Sequence, residues 1–460
     1  MLSSRFLTPA SRRFASVRHA STKVVDAPNA YSVLTLPQTL KEALQEVIPA
    51  KQEQLRKLKT DHAQAVVGDV KVENIIGGMR GLKAMLWDAS VLDPNEGIRF
   101  HGLSIPDCQK VLPAAPVPGA KEMTAESMLW LLMTGKVPTE AESRQLSREL
   151  AEKGDLPAFV EKLVDSFPTS LHPMTQLGMG VAALNHDSAF QAAYEKGIKK
   201  SEYWTYTLDD ALNLIARLPA LAARIYRNVY KSGTAMPAIN KGLDLIGNYS
   251  ALLGYGDNHN LTEYLRLYIA LHGDHEGGNA SAHTSHLVGS TLADPYLSLA
   301  NQEVLRWQLA MQAEIGSDVS HEQIKEYLWK TLKSGQVVPG YGHGVLRNPD
   351  PRFIALQEFC DAHPELQESP VIRLVKKTYE VAPDVLKEHG KTKNPYPNVD
   401  ATSGCVLHHY GLREFKYYTV IFGVSRALGC LTQSVWARAL GLPLERPKSL
   451  SIDALEKLIK

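Results

Sequence analysis

The chain is poor in cysteine: Cys108, Cys360, Cys405 and Cys430 are the 4 in 460 residues, far apart and with no CxxC pair. That excludes a disulfide scaffold and an all-cysteine zinc site, and it fits a reducing compartment. Charge of one sign is also missing, since 50 Lys+Arg face 49 Asp+Glu for a net charge of +1. Without a basic surplus, neither nucleic acid nor an acidic membrane is expected as the main partner, and any charge chemistry must be local. No apolar run approaches the ~18 residues that a membrane helix needs. The 32 glycines and 26 prolines are scattered, which excludes collagen. No internal repeat and no sheet-sized set of strands is visible. What remains is an ordinary globular composition, 44% hydrophobic and 22% charged, in a chain long enough for two or three domains.

Acid is absent before Asp26. The same stretch holds Arg5, Arg12, Arg13, Arg18 and Lys23 together with Ser3, Ser4, Ser11, Ser16 and Ser21. Arg-rich, Ser-rich and acid-free is the composition of a mitochondrial transit peptide, and the arginines interrupt the apolar centre that a secretory signal requires. The folded chain is expected to begin between Leu34 and Leu40. From there helical spacing dominates. A helix is predicted over residues 40–64, and Thr139 with Glu142 forms a capping box for another that ends at Gly154. Thr207 with Asp210 is expected to open a segment reaching Val229 with a kink at Pro219, and Thr262 to open one ending at Gly273. Ala293-Asp294-Pro295 reads as the cap of a helix reaching Ile315. Further helices are predicted at 321–334, 351–363, 370–388, 420–440 and 452–460. One hairpin is predicted, because Asp93-Pro94-Asn95-Glu96-Gly97 is turn chemistry between Ser90-Val91-Leu92 and Ile98-Arg99-Phe100. The class is all-α with one small β-hairpin near the N-terminus.

Three polar clusters carry the chemistry. The first is His272-Gly273-Asp274-His275-Glu276-Gly277-Gly278-Asn279, followed by His283 and His286. HExxH spacing fails here, so two metal ligands on one helix face are not expected, and no metal site is assigned. The Gly-Gly pair suits close approach of backbone to a small ligand; the competing reading is histidines that fill a buried helix end. The second cluster is Gly340-Tyr341-Gly342-His343-Gly344-Val345-Leu346-Arg347, then Asp350-Pro351-Arg352. Its glycines let the backbone wrap a ligand and present one imidazole, while Arg347 and Arg352 offer bidentate donors to carboxylate or phosphate. The third runs from Lys391 and Lys393 through Pro395 and Pro397 to Asn398 and Asp400. Lysines suit polyphosphate and a rigidly held Asp suits general-base work, against the alternative of a solvated loop with an N-capping Asp. Arg426 lies mid-helix among Phe422, Val424 and Leu428, where a charge is costly unless partnered.

In order along the chain, HxDHEGGNxSAHTSHLVGS, VVPGYGHGVLRxxDPR, GKTKNPYPNVD, YYTVxFGVSRALG and LPLERPKS closely resemble the eukaryotic mitochondrial citrate synthases and 2-methylcitrate synthases, over residues 70–449. The resemblance implies a two-domain helical homodimer: a lead over 1–33, a large domain over 34–300 completed by 406–460, and a small mobile domain over 301–405. It implies condensation of oxaloacetate with acetyl-CoA in the mitochondrial matrix, with coenzyme A thioester as substrate and no separate cofactor. Asp400 matches the base that deprotonates the acetyl methyl, and His343 the donor to the oxaloacetate carbonyl. His275, Arg352 and Arg426 match oxaloacetate ligands, and Arg446 matches the arginine that crosses the subunit interface. Arg80, Arg347, Lys391, Lys393 and Asn398 match coenzyme A contacts.

One departure stands out. In the family a Gly-rich loop of the GLAGPLHGLA kind, with a histidine that stabilises the thioester enol, precedes NQEVL. Here Ala300 runs straight into Asn301, so the resemblance implies that loop is absent. Loss of an oxyanion-type donor costs roughly 10²–10³ in rate, so turnover by this sequence is expected to be impaired. Retention of Asp400, His343 and the arginines favours an omission at an exon boundary, or a splice form, over drift into a pseudoenzyme. The alternatives carried forward are a 2-methylcitrate synthase using propionyl-CoA and a non-catalytic paralogue that binds oxaloacetate or CoA.

Overall fold

Helix boundaries follow local capping chemistry. In the computed structural model, which describes residues 36–291, 311, 314, 319–343 and 345–460, reciprocal capping boxes start the Leu40–Asp61 helix at Thr39/Glu42 and the Glu140–Lys153 helix at Thr139/Glu142. Two starts differ from the sequence reading. The Tyr203–Tyr230 helix begins before Thr207, whose hydroxyl donates back to the Tyr203 carbonyl at 2.9 Å. Asp210 is engaged elsewhere: it accepts from Ser188 Oγ at 2.7 Å and from the Ala189 and Phe190 N–H groups, so it caps the neighbouring Ala189–Glu195 helix. The His259–His272 helix is capped by Asn258, and Thr262 Oγ1 donates to Asn258 O at 3.0 Å. Of the predicted helix from Asp294 to Ile315 only Met311 and Glu314 are described, and the Ala300–Asn301 junction lies outside the described residues.

The Tyr203–Tyr230 and Tyr418–Ala439 helices pack against each other, and the first also contacts Pro173–Ala183, Ala189–Glu195 and Leu245–Leu253. Buried on most sides, these helices read as broad apolar faces rather than narrow stripes. Pro219 lies inside the Tyr203–Tyr230 helix instead of ending it; close packing of neighbours such as Leu218 and Leu221, each worth about 1.5–3 kcal/mol when fully buried, offsets the lost N–H. The segment Phe415–Ala439 corrects the expectation that no apolar run reaches membrane length, since it spans 25 residues and contains an 18-residue window of mean hydropathy 1.2. Its apolar window is 83% buried inside the protein, as in a core helix.

Residues Pro37–Lys460 form one compact unit with two hydrophobic clusters. The larger includes Leu129, Ile215, Leu265, Phe353 and Leu428; the smaller joins the His321–Lys333 and Pro370–His389 helices through Ile324, Leu328, Leu374 and Val385. The hairpin pairs Ser90–Asp93 with Gly97–Phe100 in antiparallel register, Ser90 opposite Phe100. Asp93 Oδ1 accepts from the Asn95 and Glu96 N–H groups at 2.8 Å, which fixes the turn.

Candidate active site

The His259–His272 helix delivers the first cluster. Buried His272 stacks on Tyr268 with ring centroids 4.2 Å apart, and its Nδ1 lies 2.8 Å from the Tyr268 carbonyl. A carbonyl only accepts, so Nδ1 carries the proton and Nε2 is a bare acceptor with no protein partner. Burial, then the Arg352 charge, pushes the His272 pKa down to about 3. Beyond Gly273 the turn presents His275, also buried and with Nε2 unpartnered. Burial first, then Arg352 and Arg426, holds its pKa well below the usual histidine range. Arg426, on the Tyr418–Ala439 helix, donates through Nε to the His272 carbonyl at 3.0 Å and through NH1 to Asn279 Oδ1 at 2.8 Å. Its guanidinium sits 4.8 Å from the Phe422 ring centroid.

The second and third clusters are stitched to each other. Gly342 N–H donates to the Tyr396 carbonyl at 3.0 Å and Asn398 N–H to Gly340 O at 2.8 Å, with a bridge between Tyr341 and Pro397. Gly340 has φ +79°, and a β-carbon there would lie 3.0 Å from Ala401 Cα, so the approach of the two strands of chain requires glycine. Asn398 serves this junction: Nδ2 donates to Gly342 O at 3.1 Å, and Oδ1 accepts from Asp400 N–H at 3.0 Å. Asp400 opens the Asp400–His409 helix. His343 Nδ1 accepts from both Val345 and Leu346 N–H at 3.0 Å, so the neutral ring must carry its proton on Nε2. Burial and then Arg352 lower the His343 pKa. Its ring centroid is 5.6 Å from that of His275. Asp350 caps the Pro351–Ala362 helix and holds Arg352 through Nε at 3.1 Å and NH2 at 2.7 Å.

Asp400 is exposed at the start of its helix, with Arg352, Asp350 and Arg426 close enough for their charges to act on it. Loss of hydration raises its pKa; Arg352 opposes the rise, Asp350 supports it and Arg426 opposes it. His275, His343, Arg352, Arg426 and Asp400 are thus brought within one electrostatic neighbourhood from four separate segments. Arg347 is exposed beside His343, its NH1 on the Val345 and Leu346 carbonyls at 2.7 and 2.8 Å. Arg80, Lys391, Lys393 and Arg446 are exposed. Tyr268 was not singled out from sequence, and His272, Asp274 and Asp350 were quoted within the polar clusters without an assigned role. For His272 and Tyr268 the usable signal was their four-residue spacing on one helix face; for Asp350, the Asp-Pro dipeptide of an N-cap followed by its first turn.

A constellation of a raised carboxylate, a neutral N–H donor and two buried guanidinium groups can abstract a proton from carbon, polarise a carbonyl and hold a dicarboxylate. Among the described residues no group of three His, Cys, Asp or Glu side chains could hold a metal ion. A surface cleft lined by Gly254, Tyr255, Asp257, Asn258, His259 and Asn260 contains none of the five groups.

Residues 78–448 match the family model described as citrate synthase, C-terminal domain. The chain is 52% identical over 471 aligned positions to the mitochondrial 2-methylcitrate synthase of Fusarium solani, covering 99% of both chains. That alignment is longer than the 460-residue chain, so it opens gaps in this sequence. The chain is 54% identical to mitochondrial citrate synthase 4 of Arabidopsis thaliana, covering 91% of this chain and 90% of the relative. Among solved structures, citrate synthase from Pyrobaculum aerophilum superposes with a TM-score of 0.70 at 23% identity, covering 82% of this chain and 92% of that one. The fold is shared with that enzyme, and the chain belongs to the citrate synthase family.

Proposed function

We propose that this member of the citrate synthase family condenses oxaloacetate with acetyl-CoA and water to give citrate and free CoA. The observation that carries the reading is the meeting of Asp400 and the Nε2–H of His343 with the charges of Arg352 and Arg426. The arginines and His275 hold oxaloacetate. Asp400 takes a proton from the acetyl methyl; the enolate carbon then bonds to the keto carbon, whose oxygen takes the Nε2 proton of His343, and the proton held by Asp400 restores the ring by way of solvent. Water cleaves the resulting thioester, its hydroxyl going to the acyl carbon and its proton to sulfur. Burial of His275, Arg352 and Arg426 strengthens the interactions they make. Arg80, Arg347, Lys391, Lys393 and Asn398 are assigned to coenzyme A, where exposed cations suit its phosphates.

The finer assignments rest on the same support. A solved relative from Thermoplasma acidophilum is described as a complex with carboxymethyl coenzyme A and oxaloacetate. The 301–405 segment is read as the small mobile domain, with the smaller hydrophobic cluster inside it, and Arg446 as the residue given to a second copy in a homodimer. Import to the mitochondrial matrix by residues 1–33 agrees with the acid-free stretch before Asp26 and with relatives named as mitochondrial. A second reading, 2-methylcitrate synthase acting on propionyl-CoA, is favoured by the name of the Fusarium solani relative that spans 99% of both chains. One methylene is worth only about 1–3 kcal/mol in a pocket.

Steady-state release of CoA thiol tests the reading, with oxaloacetate supplied alongside acetyl-CoA and then propionyl-CoA. Turnover with either assigns the acyl substrate. The junction at Ala300–Asn301 leads us to expect a rate about 10²–10³ below that of a chain carrying the loop, with oxaloacetate still bound in calorimetry. Absence of both turnover and oxaloacetate binding would overturn it.

A further inference from the structure

We infer that the small hairpin is a positioning clamp, which fixes the spacing between the turn that carries His275 and the segment that carries His343 and Arg352. The inference rests on reading that site as the oxaloacetate site.

One end of the hairpin grips the His275 turn. Ser90 is 1% exposed and Asp274 is 0% exposed. Ser90 Oγ donates to Asp274 Oδ2 at 2.6 Å, and the Trp87 indole N–H donates to the same oxygen at 2.9 Å. Because the single Ser90 proton goes to the carboxylate, the hydroxyl lone pair is left to accept Glu276 N–H, at 2.7 Å. His275 is thereby bracketed by two residues tied to one serine. Glu276 is held at φ +53°, a left-handed conformation that a non-glycine residue adopts only when its surroundings impose it. From the far side, Gly273 O accepts Gly429 N–H at 2.9 Å, and a β-carbon at Gly429 would fall 2.4 Å from Asp274 Oδ1.

The other end grips the second segment. Arg347 N–H donates to the Pro94 carbonyl at 2.7 Å, and Asn348 Nδ2 donates to the Asn95 carbonyl at 2.8 Å. Gly97, at φ +83°, lies so close to Pro351 that a β-carbon would meet Cγ at 2.1 Å. A two-stranded hairpin is marginal by itself in water. This one is backed by Ile98 and Phe100, both 0% exposed, which anchor it in the core. A rigid spacer of four paired residues therefore joins two ligand-bearing loops that are separated by some seventy positions of chain, roughly the range over which loop closure alone gives no register.

The test is equilibrium binding of oxaloacetate, and separately of CoA, to the full chain and its variants, with the unfolding midpoint measured beside them. Ser90→Ala is expected to raise the oxaloacetate Kd about tenfold, the size of one lost buried hydrogen bond. Ser90→Thr, which keeps the hydroxyl, should return it to within about threefold. Gly97→Ala should raise the same Kd from the opposite end. CoA binding is expected to stay within about twofold in the Ser90 and Trp87 variants, whose end of the hairpin does not hold Arg347, so those variants carry the CoA comparison. If Ser90→Ala does not fold, Trp87→Phe keeps the ring while deleting one donor to Asp274, and a smaller shift of the same kind is expected. Unchanged oxaloacetate affinity in the variants, with the parent binding normally, overturns the clamp; so does a parallel fall in oxaloacetate affinity, CoA affinity and midpoint, the pattern of a purely structural element. A parent chain that does not bind oxaloacetate instead overturns the substrate reading itself.

Discussion

Arg266 and Arg426 are each 1% exposed and each lies within a helix, yet they are held in opposite ways. Arg266 closes on carboxylates: Nε and NH2 reach Asp244 at 3.0 and 2.7 Å, and NH1 reaches Glu263. Glu263 also accepts the Lys121 and Glu122 N–H groups at 2.6 and 3.1 Å. Charge and hydrogen bonding are settled among protein atoms, which is how a buried ion cluster survives without a ligand. Arg426 is oriented through Nε and NH1 by two neutral oxygens, and its charge acts on His275 and Asp400. Burial lowers its pKa, and the nearby Cys430 and Asp274 oppose the fall. The first arrangement builds a fold; under the proposed function, the second serves a carboxylate of oxaloacetate.

The comparison can be broken by variants that should move activity and stability separately. The largest effect is expected from Asp400→Asn, which keeps the shape and removes the base. Thiol release should fall about 10³–10⁴-fold, or to background, while the oxaloacetate Kd stays within about threefold; a tenfold loss or less would remove Asp400 from the proton-transfer step. Next comes Arg266→Met, which strands Asp244 and Glu263 and should cost about 3–5 kcal/mol in urea unfolding with little change in oxaloacetate affinity. Arg426→Met should invert that pattern. Stability should shift by about 1 kcal/mol or less, since an apolar side chain suits the site, while the Kd rises about 10–100-fold through loss of a charge-assisted contact. If both arginines moved stability and affinity together, the distinction between them would fail.

How much of this was legible beforehand differs between the two regions as well. The five clustered groups His275, His343, Arg352, Arg426 and Asp400 lay in segments whose residue types are unusual where they stand, glycines around one imidazole, a carboxylate after two prolines, an arginine in an apolar helix, but the choice of His275 and the role of each came from the family resemblance. The hairpin was legible from its turn chemistry, and the longest helices from capping and period, whereas shorter ones such as Ala125–Thr134, Pro173–Ala183 and Asp400–His409 were not assigned. The supports were not legible either. Asp274, Asp350 and Ser90 are common residues whose role comes from contacts with Trp87, Arg352 and Glu276, and no local pattern announces a contact across 184 positions, as in Ser90–Asp274. Asp210 misled for the same reason. A capping residue can serve a helix other than its own, and only packing reveals which. Arg266 drew no attention because a charged residue within Tyr264–Tyr268 fits an exposed helix face equally well until its partners are seen.

The smallest expected effect comes from a carboxylate beside the Arg266 cluster that this cluster does not neutralise. Glu126 is 0% exposed; Oε1 accepts from Leu245 N–H at 2.7 Å and Ser147 Oγ at 2.9 Å, while Oε2 has no partner. Burial, and then the Asp244 charge, raises its pKa from 4.5 to about 7. The folded chain therefore binds this proton more tightly than the unfolded chain, so stability is highest below the unfolded pKa, declines as pH climbs toward the folded one, and is level above it. Glu126→Gln keeps the shape but cannot titrate. Its unsatisfied amide donor costs something at every pH, so the informative quantity is the change with pH rather than the offset. Glu122, which burial also raises to about 7, contributes the same slope to both proteins and drops out of the difference. From pH 5 to pH 8 the parent should lose on the order of 1 kcal/mol relative to Glu126→Gln in urea unfolding. Parallel stability curves for the two proteins would mean that Glu126 is ionised throughout, and that the Arg266 cluster neutralises all the buried charge around it after all.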